Sequence, residues 1–185
     1  MSTSTTTQST KVITGLVRFS YVHVWEPKQM DEGGDKKYSV SLIIPKSDKK
    51  TLKAIHDAIE AAKEAGKAKF GGKIPNNLKS PLRDGDEDRP DDPAYADSFF
   101  LTANAKSKPG VVDKNRQPII DQDELYSGCY GHASIIFFAF NTSGNKGVAC
   151  GLNHLMKVKD GESLGGRSTA ENDFENLEIE EDDLF

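Results

Sequence analysis

The chain has 185 residues, 36 % hydrophobic and 29 % charged, enough for one domain that buries a core without disulfides. Its first ten residues are polar, with no basic n-region or apolar h-region, and no apolar run reaches the roughly 18 to 20 residues that span a bilayer; a soluble, cytoplasmic protein is expected. The net charge of −5 is unevenly placed: the last fifteen residues hold eight carboxylates and no Lys or Arg, which leaves residues 1–170 with 24 basic against 21 acidic groups, a net +3.

Residues 1–10 lack periodic apolar signal and read as a disordered arm. Residues 11–25 are rich in β-branched and aromatic side chains and predict a strand, with Gly15 as a bulge and Glu26-Pro27 as its end. Residues 36–44 alternate, placing Tyr38, Val40, Leu42 and Ile44 on one face and Lys37, Ser39 and Ser41 on the other, the pattern of a half-buried antiparallel strand. Ser47 or Asp48 offers an N-cap, and Leu52, Ile55, Ile59 and Ala62 recur at helical spacing up to Gly66, so one amphipathic helix covers one side of a sheet.

Residues 67–94, rich in Lys, Gly, Pro and Asp, predict a long connection that begins basic and ends acidic. A strand carrying Phe99, Phe100 and Leu101 follows, then a basic turn at residues 106–110 and a short hairpin or loop in which Val111-Val112 and Ile119-Ile120 flank Lys114, Asn115 and Arg116. The last two strands, residues 129–140 and 147–158, are joined by residues 141–146, whose Asn and Gly suit positive φ. Small residues beside bulky ones on these strands suit a closed barrel. The expected fold is mainly β: an OB-fold-like, five-stranded Greek-key barrel with one helix and long loops, occupying residues 11–166 ahead of a disordered acidic tail at 167–185.

Chemistry-bearing motifs are sparse. His23, His56, His132 and His154 show no ligand spacing, and no nucleophile elbow, P-loop or dinucleotide fingerprint occurs, so neither catalysis nor a cofactor is expected. Cys129 and Cys150 lie far apart on apolar strands and read as buried free thiols. The acidic run from Asp84 to Asp92 fails as an EF-hand, with Arg89 where Gly is required and Tyr95 where the bidentate Glu belongs, and reads as a solvated loop rather than a metal site.

A basic body with interspersed aromatics remains, the combination that neutralises phosphates and stacks bases of a single strand. The candidates are Arg18, Tyr21, Trp25, Lys36, Lys37, Tyr38, Phe99, Lys106, Lys108, Lys114, Arg116, Tyr126, Tyr130 and Lys146, whereas Phe19, Phe137, Phe138 and Phe140 are expected in the core. The tail ends Glu180-Glu181-Asp182-Asp183-Leu184-Phe185. Its charge suits competition with polyanions for the body, and its apolar end suits capture by a partner.

That ending is similar to the tails of bacterial and phage single-stranded-DNA-binding proteins. The segments Ser20-Tyr21, Lys37-Tyr38-Ser39-Val40-Ser41-Leu42-Ile43-Ile44-Pro45-Lys46-Ser47-Asp48, Ala103-Asn104-Ala105-Lys106-Ser107-Lys108-Pro109, Tyr126-Ser127-Gly128-Cys129, Gly144-Asn145-Lys146-Gly147-Val148 and Leu164-Gly165-Gly166 resemble, in order, a family of such proteins from tailed bacteriophages. The resemblance implies a non-catalytic protein that coats and protects single strands in DNA replication and recombination, recruits polymerase or helicase through its tail, and admits a homodimer. Two other readings stay open: an acidic-tailed adaptor that binds protein, and a metal-dependent nuclease using residues 84–92.

Overall fold

The computed structural model describes residues 10–29, 36–164, 174–175 and 177; the N-terminal arm, the β2–β3 connection and nearly all of the tail, including residues 178–185, lie outside them. In chain order the elements are β1 (Lys11–Ile13), β2 (Val17–Gln29), β3 (Lys36–Pro45), α1 (Lys49–Ala65), β4 (Arg83–Asp84), α2 (Gly85–Asp88), β5 (Ser98–Ala105), β6 (Gly110–Val112), β7 (Tyr130–Thr142) and β8 (Asn145–Lys159). Five long strands close on one another in the order β7-β2-β3-β5-β8-β7, with β5 and β8 parallel, while β1, β4 and β6 are short additions to β7, β5 and β8. This is the expected OB-type barrel, enlarged by three short strands and a second helix.

The barrel is filled by the inward residues of alternating strands, among them Val17 and Phe19, Val40, Leu42 and Ile44, Leu101 and Ala103, Ile135 and Phe137, and Val148 and Cys150. Helix α1 seals it with Leu52, Ile55, Ala58, Ile59 and Ala62, each large aliphatic side chain contributing about 1.5–3 kcal/mol by leaving water. Asp48 caps the helix by accepting from the Thr51 N–H at 3.2 Å, and Thr51 Oγ1 accepts from the Gly15 N–H at 2.9 Å. Gly15 is therefore not a bulge within one strand. It marks the break between β1 and β2, where a Cβ would come within 2.7 Å of the Asp48 carboxylate.

Strand β2 runs past Glu26-Pro27 to Gln29, because register shifts on both sides of His23 absorb the irregularity before Lys28 pairs with Lys37. The β7–β8 turn is tighter than expected. Thr142 pairs with Asn145, and the loop is Ser143 and Gly144, both at positive φ, as a hairpin matched to strand twist requires.

Strand β3 also departs from the half-buried pattern, since Ser39, Ser41 and Ile43 on its outer face are buried as well. Part of the long connection folds over this face. Tyr95 and Phe100 meet edge to face at 5.0 Å and pack with Ile43, and the Tyr95 and Ser41 hydroxyls lie 3.4 Å apart. Gly85 turns against the Tyr95 carbonyl so closely that a Cβ would lie 2.2 Å from it. Beyond β8 the chain crosses back over the same side, where the Leu164 N–H donates to the Ser127 carbonyl at 2.8 Å and its side chain joins the Ile43 cluster. Cys129 and Cys150 are buried free thiols, and burial pushes both thiol pKa values up.

Candidate nucleic-acid interface

The parallel seam between β5 and β8 is held by one register pair, Asn104 with Gly151, so the strands part on either side of it and a trough opens. At one end a cleft of about 390 Å³ is lined by Lys37, Asn104, Lys106, Phe138, Phe140, Thr142 and Ala149. It continues across Asn104, Ala149 and Cys150 into a second cleft of about 280 Å³, bounded by Ser80, Pro81, Arg83, Arg89, Phe100 and Thr102. Along β5 the span from Phe100 to Lys106 is roughly 20 Å at about 3.3 Å per residue.

The walls follow from strand alternation. On β7, Ile135, Phe137 and Ala139 point into the barrel, so Ile136, Phe138 and Phe140 must point out. Opposite them β8 places Gly151, Ala149 and Gly147. These small partners leave the rings uncovered: Phe138 is 46 % exposed, and Phe140 lies where a Cβ at Gly147 would come within 3.0 Å of its ring. Phe138 is thus corrected from core to surface, and Phe140 is only half-buried; Phe19 and Phe137 are core as expected. Lys37 and Lys106 donate to no acceptor among the described residues.

Of the residues singled out from sequence, the structure brings Lys37 and Lys106 into the trough. Exposed Lys36 begins β3 beside Lys37, with half-buried Tyr38 following. Lys146 lines a separate polar cleft with Pro75, Asn77 and Lys79, formed where Lys79 pairs with the start of β8 through Val148 N–H to Lys79 O, 3.0 Å. Tyr21 occupies the irregular stretch of β2 at φ 47°, with its ring 52 % exposed and the Arg89 guanidinium 5.5 Å from its centroid.

The others lie elsewhere. Trp25 packs on the core, donates to the Leu125 carbonyl at 3.3 Å, and has the Lys108 ammonium 5.6 Å from its ring. Lys114 and Arg116 are exposed in the turn after β6, and Phe99 packs on the core with Lys46 at 5.4 Å. Arg18, Tyr126 and Tyr130 form a second cationic and aromatic cluster at the foot of β7, in which Arg18 and Tyr126 are bonded within the protein. Arg18 donates to the Gly128 carbonyl at 3.1 Å and the Glu162 carbonyl at 2.7 Å, and it covers Tyr130 at 5.3 Å opposite Lys159 at 4.9 Å. Tyr126 bonds to both Gly161 and Asp160, and burial raises its hydroxyl pKa.

Phe138, Phe140, Arg83 and Arg89 were missed. Adjacent Phe137 and Phe138 cannot both face inward in a strand, so that signal was available; Arg83 immediately precedes the acidic run, Arg89 sits within it, and both reach the trough only through long-range folding. Four carboxylates of that run, Asp84, Asp86, Asp88 and Asp92, are engaged. Lys46 bridges Asp84 at 3.0 Å and Asp86 at 2.8 Å, which holds the Asp86 carboxyl below and the Lys46 ammonium above their ordinary pKa values. Asp84 and Asp92 cap the short helices that follow them. Among the described residues no group of three His, Cys, Asp or Glu side chains is placed to hold a metal ion, and no helix is long and apolar enough to cross a membrane.

A five-stranded Greek-key barrel closed in this order is of the OB class, whose members take oligonucleotides or oligosaccharides on the face of their second and third strands and the adjoining loops. Within that class the chain belongs to the family of the Enterobacter phage Enc34 ssDNA-binding protein, whose model matches residues 10–185. It is 33 % identical over 178 aligned residues to protein p50 of Acyrthosiphon pisum secondary endosymbiont phage 1, covering 90 % of this chain and 94 % of that one. The single-stranded DNA-binding protein from bacteriophage Enc34 in complex with ssDNA superposes with a TM-score of 0.74 at 28 % identity, covering 84 % of this chain and 89 % of that one. The single-stranded DNA-binding protein gp2.5 of bacteriophage T7 shares the fold at 18 % identity, with a TM-score of 0.60 over 92 % of this chain and 95 % of that one.

Proposed function

We propose that this chain is a non-enzymatic protein that binds single-stranded DNA in the β5–β8 trough and coats exposed strands during phage DNA replication and recombination in the host cytoplasm. Bases stack on Phe138 and Phe140 while phosphates follow Lys37 and Lys106, with Lys36 and Lys146 flanking the path. The observation that carries this reading is the open seam itself, which sets two lysines without an ion pair among the described residues, exposed Phe138 and half-buried Phe140 around one cleft. Family membership supports it. An adaptor that binds protein has no specific feature in its favour, and a nuclease would need free carboxylates where Asp84 and Asp86 are held by Lys46.

The acidic end, Glu180 to Phe185, is proposed as a competitor for the trough that recruits replication partners once displaced. Its support is the charge division, −8 on the last fifteen residues against +3 on the rest, and the position of Leu164, which ends the continuous described stretch packed on the Ile43 and Phe100 cluster beside the trough. A tethered tail competes at an effective concentration on the order of mM. The test is fluorescence anisotropy with oligo(dT) at two salt concentrations, using the full chain and a chain ending at residue 170. Salt-sensitive binding that tightens on truncation is expected. Absence of binding by both chains at low salt would overturn the reading.

A further inference from the structure

Arg89 is the one side chain of the trough whose setting exceeds what a solvated surface arginine needs. Its guanidinium carbon lies 5.1 Å from the Tyr95 ring centroid, 5.3 Å from Phe100 and 5.5 Å from Tyr21. Tyr95 and Phe100 are buried, so two of these rings are fixed, while Tyr21 opens to solvent. Rings on its flanks leave a guanidinium its in-plane N–H groups, the edge that matches a phosphate or carboxylate two bonds at a time.

The nearby carboxylates do not use that edge. Asp86 is bonded to Lys46 and to the Asp97 N–H, Asp88 lies 3.7 Å from Arg83, and Asp92 accepts from the Ala94 N–H. Among the described residues the Arg89 guanidinium has no hydrogen-bond or ion-pair partner, although five carboxylates stand within three residues of it. Such a cation, held in place by its rings and lining the cleft opposite the Phe138 end, is built to receive an anion from outside.

We infer that Arg89 is a backbone-phosphate anchor at the far end of the trough, gripping one phosphate of a single strand through its paired N–H groups while Tyr21 receives the adjoining base. This rests on the single-strand reading above and adds a residue-specific grip to it. It gives the bound strand two fixed points, ring stacking at Phe138 in one cleft and an arginine fork in the cleft that adjoins it.

The test is dicarbonyl modification of arginine on the full chain, read by mass spectrometry with and without saturating oligo(dT), beside anisotropy on variants. Arg89 should react in the free protein and be shielded by oligo(dT). Arg89→Ala should weaken binding about tenfold and lower the salt slope by about 0.7, and Arg89→Lys should restore the slope but not the affinity. Should Arg89→Ala fail to fold, shielding on the wild-type chain decides. Arg89 equally reactive with and without oligo(dT), in a protein whose binding Phe138→Ala weakens, would overturn the anchor and leave the single-strand reading intact. Failure of the wild-type chain to bind oligo(dT) would overturn both.

Discussion

Two of the places where cations lie near aromatic rings, the foot of β7 and the trough, are built differently. At the foot of β7, Arg18, Tyr126 and Lys157 are knitted to residues 160–162: the Glu162 carbonyl, with that of Gly128, takes Arg18, Asp160 takes Lys157 at 2.6 Å, and Tyr126 bonds to Gly161. In the trough, the Lys37 and Lys106 ammonium groups have no acceptor among the described residues and Phe138 is 46 % exposed. Composition cannot distinguish the two. Satisfaction of the donors can, since a donor already bonded inside the protein must give up that bond to take a phosphate, whereas a free one exchanges only water. The foot cluster is accordingly a clasp for the chain leading to the tail, and the trough is the surface left open.

Breaking the trough should have the largest effect. Phe138→Ala combined with Phe140→Ala should weaken oligo(dT) binding by about 1–3 kcal/mol per ring in an anisotropy titration. The thermal midpoint should fall only slightly, because Phe138 contributes little to the core. Next comes the pair Lys37→Ala and Lys106→Ala: the slope of log K against log salt should flatten by about 0.7 for each phosphate contact removed. An unchanged slope would move the phosphate path elsewhere. Breaking the clasp should do the converse. Arg18→Ala removes two charge-assisted bonds and should cost about 1–2 kcal/mol of unfolding free energy in a urea titration, with oligo(dT) affinity nearly unchanged. A large loss of affinity without loss of stability would make Arg18 a DNA contact after all.

How much of this was legible follows from the range of each signal. The helix from Asp48 to Gly66 and the β7–β8 hairpin are local patterns of cap, period and turn, and both stand where the sequence placed them. The family strings are local too, and family and barrel class are as expected. Phe138 was misplaced because bulk was weighed above alternation, although Phe137 beside it already claimed the inward side. Ser39 and Ser41 looked solvent-facing because nothing near them announces that residues 83–97 fold over their strand. Arg89 was hidden for the same reason: in sequence it is one cation among carboxylates, and only the fold turns Asp86, Asp88 and Asp92 toward Lys46, Arg83 and backbone N–H groups. Burial by a distant segment leaves no periodic trace, so satisfied and unsatisfied charges look alike until the chain is folded.

The smallest effect sharpens the comparison through pH. Asp160 is held below the ordinary aspartate value of 3.8 chiefly by its bond to Lys157, and Asp86 is held below it chiefly by Lys46. A carboxyl whose folded value is depressed adds stability that is complete above its unfolded value and is lost as pH falls through the folded one. Both contributions therefore persist at neutral pH and fade below about pH 4, one loosening the clasp and the other the loop that carries Arg89. Amide exchange separates them. Acidification should lower the protection factor, the exchange rate corrected for its intrinsic pH dependence, at Leu164, whose N–H is bonded to Ser127 O, and at Asp97, whose N–H is bonded to Asp86. Asp160→Asn should remove the pH dependence at Leu164 while preserving it at Asp97. If both amides lose it together, the clasp and the trough are one cooperative unit, and the separation of a structural cluster from an open one fails at this end of the barrel.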